Sequence, residues 1–161
     1  MSLRAAFVCF LFPFALSAAN SYENEVPADA VITLQRGACE RRCAVYKIVI
    51  FADGTVIYDG QYYVKRKGLI LSQADPAMLL KLIDDFKAID YFNLNNEYGY
   101  GDTNGCAAVR TDGSIVKTSI SVDGRAKAII HQHRCEGAIP SQLTDLEDKI
   151  DRFAHSAQWV R

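Results

Sequence analysis

The chain has 161 residues, of which 50% are hydrophobic and 23% charged, with a formal net charge of −1. That is one domain's length, with enough apolar residues to bury a core without outside help. The near-balance of charge removes the electrostatic case for binding nucleic acid or an anionic membrane surface.

Residues 1–19 read as a signal peptide. Met1-Ser2-Leu3-Arg4 is a short basic start, residues 5–16 are an apolar run, and Ser17-Ala18-Ala19 supplies the small residues of a cleavage site. The run is too short to serve as a membrane anchor. Its removal leaves about 142 residues and, with the loss of Arg4, a net charge of −2. It also places the remainder in an oxidising compartment, so the expected location is periplasmic or secreted. Cys9 leaves with the leader and lies too far before the cleavage point to carry a lipid. Four cysteines remain: Cys39, Cys43, Cys106 and Cys135. Disulfides are expected; three pairings are possible, and Cys39–Cys43 with Cys106–Cys135 is favoured. Chain entropy assigns about 2 kcal/mol to the short loop and about 3.5 kcal/mol to the long one.

Residues 20–30 form a polar lead-in and residues 31–161 a single domain. Residues 31–35 read as a first strand. Residues 45–51 and 55–59, rich in β-branched and aromatic side chains, flank Asp53-Gly54 as a hairpin. A three-residue loop, Ala52-Asp53-Gly54, sets Ile50 opposite Val56, Ile48 opposite Tyr58 and Lys47 opposite Asp59, so like meets like. Residues 62–67 read as a further strand. Asp75 suits a helix N-cap and Pro76 the first turn; Leu79, Leu82, Ile83, Phe86 and Ile89 then follow at helical spacing. Residues 91–105 are crowded with Asn, Gly and Tyr. Such a long irregular stretch is a candidate binding loop, with Tyr98, Tyr100, Asp102 and Asn104 as its contact residues.

Residues 114–122 and 127–133 flank a second Asp-Gly pair, Asp123-Gly124. The same three-residue loop, here Val122-Asp123-Gly124, places Val116, Thr118 and Ile120 with Ala126, Ala128 and Ile130. Lys117, Ser119 and Ser121 then share the wet face with Lys127, His131 and His133. Pro140 starts a last helix, with Leu143, Leu146, Ile150 and Phe153 inward, and Trp159 closes a core edge. The expected fold class is α+β: a single antiparallel sheet of about five to seven strands packed with two helices, in β-β-β-β-α-β-β-α order, stapled by disulfides.

Two segments resemble a known family. One is Ile32-Thr-Leu-Gln-Arg36, Cys39-Glu-Arg-Arg-Cys43-Ala-Val-Tyr46-Lys-Ile48, then Asp53-Gly54-Thr55-Val56 and Tyr58. The other is Asp123-Gly124-Arg-Ala-Lys127 and His131, then Leu143, Leu146-Glu147, Ile150-Asp151 and Trp159. Together they resemble the bacterial exported domain-of-unknown-function family 6438. The resemblance implies an exported α+β domain and brings no activity and no catalytic residues. The chain departs from the family's pattern at Glu40-Arg41-Arg42, where members have a small Gly-containing insert. It also has Ala44 in place of a Pro, and Gly113-Ser114 without the Pro of a Thr-Asp-x-Pro turn.

The sharpest chemical pattern is His131-Gln132-His133. Residues two apart on a strand share a face, and Cys135 continues the alternation. Two imidazoles and a thiolate can begin a zinc or copper site. Against this, a cysteine in an exported chain is expected to be oxidised, so neither metal nor other cofactor is expected. No nucleophile elbow or zinc-protease helix is present, and Asp102-Thr-Asn104-Gly105 lacks the acidic ligands of a calcium loop. Cys39 and Cys43 have the wrong spacing for a thioredoxin-like redox pair. Asp84-Asp85 and Glu147-Asp148 read as solvated helix faces. The sequence therefore points to a non-enzymatic binding or structural protein of the periplasm or envelope. Its partner is an unidentified protein or envelope ligand, met at the Tyr98 loop or the Cys39 loop. The alternative is a metal-binding protein or a metal-dependent enzyme using His131 and His133.

Overall fold

The computed structural model describes residues 25–99, 105–110 and 112–161. Residues 1–19, expected to be a leader, lie outside them, as do Tyr100, Asp102 and Asn104 of the candidate loop.

Four strands open the fold: β1 (Val31–Arg36), β2 (Val45–Phe51), β3 (Thr55–Tyr62) and β4 (Gly68–Gln73). Helix α1 (Pro76–Ala88) follows, capped as the sequence requires, with Asp75 Oδ1 accepting from Ala77 N at 2.9 Å. Then come β5 (Glu97–Tyr98), β6 (Ala108–Val109), β7 (Ile115–Val122), β8 (Arg125–Gln132), β9 (Cys135–Glu136), α2 (Ala138–Phe153) and the single turn α3 (Ala157–Val160). Seven strands form one sheet in the order β4-β3-β2-β1-β7-β8-β5, antiparallel throughout except for the short β5–β8 pair. The small β6–β9 ladder stands apart. The α+β class and the main element order are as expected; the short strands and α3 are additions.

The helices cover one face of the sheet. Ile32, Leu34, Ile48, Ile50, Val56 and Ile120 are buried there against Leu79, Ile83 and Phe86 of α1 and Leu143, Leu146 and Ile150 of α2. Each such side chain contributes about 1.5–3 kcal/mol. Trp159 stacks obliquely on Tyr58, ring centroids 4.9 Å apart, and closes the core edge. Both disulfides form as favoured, Cys39–Cys43 and Cys106–Cys135.

Two strand expectations need correction. Residues 62–67 are not a strand: β3 runs on to Tyr62, and the next strand is Gly68–Gln73. Tyr63 has φ 54°, outside the strand region, and Arg66 N donates to Trp159 O, which draws this connection off the sheet. The register of the second hairpin is also one residue away from expectation. The first Asp-Gly hairpin pairs Ile50 with Val56, Ile48 with Tyr58 and Lys47 with Asp59, as predicted. The second pairs Val122 with Arg125, Thr118 with Ile129 and Val116 with His131. Asp123 (φ 52°) and Gly124 (φ 68°) are both left-handed, so these two residues alone make the turn. Asp29 from the lead-in accepts from both turn amides, at 3.1 and 2.7 Å. One residue of slip carries every side chain of β8 to the other face.

Candidate functional site

That slip turns His131 inward. It is 1% exposed on the helix-covered face, not on the wet face with Lys117 and Ser119. Glu147 meets it from α2. Leu143, Leu146, Glu147 and Ile150 are all buried, so the carboxylate lies within the apolar stripe and the solvated-face reading of Glu147 is wrong. His131 Nδ1 lies 2.9 Å from Glu147 Oε1, and His133 Nε2 lies 2.6 Å from Glu147 Oε2. One carboxylate thus receives both imidazoles.

Arg36, the last residue of β1, extends this cluster towards solvent. Its Nε donates to Asp151 Oδ2 at 2.8 Å and its NH2 to Asp148 Oδ1 at 2.9 Å. Its NH1 comes within 3.1 Å of His133 Nε2. A nitrogen that donates to a carboxylate cannot also accept, and the shorter contact assigns the His133 hydrogen to Glu147. Tyr46 donates to Asp151 at 2.8 Å, and Ser156 Oγ bonds the same carboxylate. Backbone alternation explains the convergence. Arg36 shares a face with Ile32 and Leu34, and Tyr46 with Ile48 and Ile50, so both polar ends point to the helix side.

Burial by itself would raise the Glu147 pKa. The hydrogen bonds and charge of the two imidazoles outweigh it, and the carboxyl is held below its ordinary 4.5. Burial opposes the Arg36 charge, but Asp151, the neighbouring Tyr46 and Glu147 raise its pKa overall. Burial first, and then the Asp151 charge, push the Tyr46 hydroxyl up. Glu147 and Arg36 therefore both carry their charge at neutral pH. His131 Nε2 is buried and has no hydrogen-bond partner among the described residues.

A cleft of about 530 Å³ opens beside this network. Arg36, Tyr46, Asp148 and Asp151 line its polar side, and Cys43 and Val160 lie at its margins. A second groove, about 540 Å³, runs between α1 and α2 over Met78, Leu82 and Phe153, and its wall is more apolar.

The sequence-derived candidates fare unequally. His131 and His133 do converge, but their third partner is Glu147; Cys135 is spent in a disulfide and supplies no thiolate. Tyr98 is 3% exposed, and its hydroxyl accepts from Asn95 N at 3.1 Å, so it is a core residue and not a contact side chain. The Cys39–Cys43 bridge borders the cleft through Cys43. Arg36, Tyr46, Glu147 and Asp151 were not singled out for chemistry, yet each stands in one of the two segments that carry the family resemblance.

Together these features define a disulfide-stapled α+β domain with a buried carboxylate–imidazole–guanidinium network between sheet and helix. The sequence model of the family described as domain of unknown function DUF6438 matches residues 30–154, and the chain belongs to that family. A comparison with curated proteins finds no match. Among the described residues, no helix is long and apolar enough to cross a membrane.

Proposed function

We propose that this is a non-enzymatic binding domain working outside the cytoplasm, in the periplasm, at the envelope or after secretion, and that it binds through the cleft beside the Cys39–Cys43 bridge. The observation that carries the reading is the polar wall of that cleft. Arg36, Tyr46 and Asp151 are held in place by mutual hydrogen bonds, and exposed Asp148 and Arg152 add charges of both signs. Pre-positioned polar groups cost little to order when a ligand arrives. Two disulfides suit an oxidising compartment. The leader-like residues 1–19 support the same location. The partner is a polar ligand or protein segment carrying charges of both signs.

A pull-down from an envelope extract tests the reading, comparing the native protein with an Asp148→Lys/Arg152→Glu variant. Both side chains are exposed, so the fold is expected to survive. Loss of specifically captured partners in the variant supports the cleft. The same partners on both proteins, or none on the native one, overturns it.

One observation favours a second reading: ligand atoms of His131, His133 and Glu147 lie within 4.8 Å of one another, as in a metal site. The Arg36 guanidinium, 3.1 Å from His133 Nε2, weighs against a cation there. Elemental analysis of the natively purified protein decides it. One equivalent of metal, lost in Glu147→Gln, establishes the site; a substoichiometric result removes it.

A further inference from the structure

The two edges of the sheet are treated differently. Beyond β8 the chain covers the edge: β5 pairs with it, Ile130 N donates to Asn96 O, and Lys127 Nζ is tied to Leu94 O and Asn96 Oδ1. The opposite edge is β4, which among the described residues pairs with β3 alone. Its sequence, Gly68-Leu69-Ile70-Leu71-Ser72-Gln73, holds no charge and no proline. Those are the devices that ordinarily keep an edge strand from pairing with another chain. Its outward leucines are among the most exposed large apolar side chains of the described residues, Leu69 at 72% and Leu71 at 73%. The face of the sheet without helices grades across the same direction. From β4 to β7 the row in register with Leu71 reads Leu71, Ile57, Val49, Thr33, Ser119, apolar at the open edge and polar away from it.

We infer that β4 is a self-association edge, pairing antiparallel with β4 of a second copy across a two-fold axis at Ile70. A strand pairs with itself about a two-fold axis normal to the sheet only if opposed residues share a face, and this register meets that condition. Leu69 of each copy then stands opposite Leu71 of the other, joining four exposed leucines into one cross-strand cluster. The ends of the strand are complementary as well. The exposed basic run Lys65-Arg66-Lys67 precedes β4 and exposed Asp75 follows it, so antiparallel pairing brings basic start beside acidic end twice over. The result is one continuous sheet through both copies. It is independent of the cleft and of whatever the cleft binds.

Sedimentation of the purified protein over a micromolar to sub-millimolar range tests this, together with hydrogen exchange of the β4 amides at both ends of the range. The expected result is a concentration-dependent doubling of mass, with added protection of the β4 amides and none at β2. A Leu69→Lys/Leu71→Lys variant should weaken association on the order of a hundredfold and leave the melting temperature unchanged at the dilute, monomeric end of the range, because both side chains are in solvent in the single chain. A protein that stays monomeric throughout overturns the inference. So does a dimer that forms without protecting β4, or one that persists unweakened in the variant.

Discussion

The two Asp-Gly hairpins carry the same dipeptide between similar strands and close in different ways. At Asp53-Gly54 only the glycine is left-handed (φ 82°), and a third loop residue, Ala52, joins the turn. This loop is packed: Gly54 O accepts from Ala74 N, Gln73 Nε2 donates to Asp53 O, and a β-carbon on Gly54 would come within 2.4 Å of Ala74 O. At Asp123-Gly124 both residues are left-handed, and none of the described residues crowds the glycine. Its turn is held by Asp29 from a segment more than 90 residues earlier. A dipeptide thus announces a hairpin, and its surroundings choose the length of the loop. The choice has chemical weight, because the two-residue turn sends His131 to Glu147 and a three-residue turn would send it to water.

The largest expected effect comes from removing what that register delivers. Glu147→Ala leaves two imidazoles and Arg36 without their shared carboxylate and should cost about 3–5 kcal/mol in denaturant unfolding. Gly54→Ala combines an unfavourable φ with a backbone clash and should cost about 2–3 kcal/mol. Gly124→Ala meets the φ penalty in open space and should cost about 1 kcal/mol, so equal losses at the two glycines would erase the packed-against-open distinction. Asp29→Ala should lower the melting temperature least, since both of its bonds lie at the surface. A fall as large as that of Gly54→Ala would show that the Asp29 clamp dominates the second turn.

The pH dependence sharpens the same contrast. Glu147 has a folded pKa below its unfolded value, so its contribution is complete above about pH 4.5 and fades as the pH falls through the lower folded value. Unfolding free energy measured from about pH 6 to about pH 2.5 should therefore drop more steeply for the native chain than for Glu147→Gln. Parallel curves would remove Glu147 as the source of the acid sensitivity.

Much of the fold was legible in the residues. Asp75-Pro76 with its apolar stripe marks α1, because cap chemistry and helical spacing are local signals. The first hairpin's register followed from matching like with like across the strands. The cysteine pairs seen are the favoured one of three possible pairings, and the folded chain singles it out. Part of the site was legible too and went unread. Glu147 continues the Leu143, Leu146, Ile150 spacing, and Arg36 and Tyr46 continue the inward alternation of their strands. A charged residue in such a position marks a buried pairing as readily as a break in the pattern.

What the residues alone determined is the outline: the first strands, the two main helices and an even set of four cysteines able to pair. Only the folded chain decided which face His131 takes, that Glu147 accepts it, that Tyr98 is buried, and that β4 is left as an open edge. The physical reason is range. Propensity, capping and alternation are properties of near neighbours, whereas a one-residue difference in register depends on contacts such as His131 with Glu147 of α2 and the second turn with Asp29, which only tertiary packing brings together.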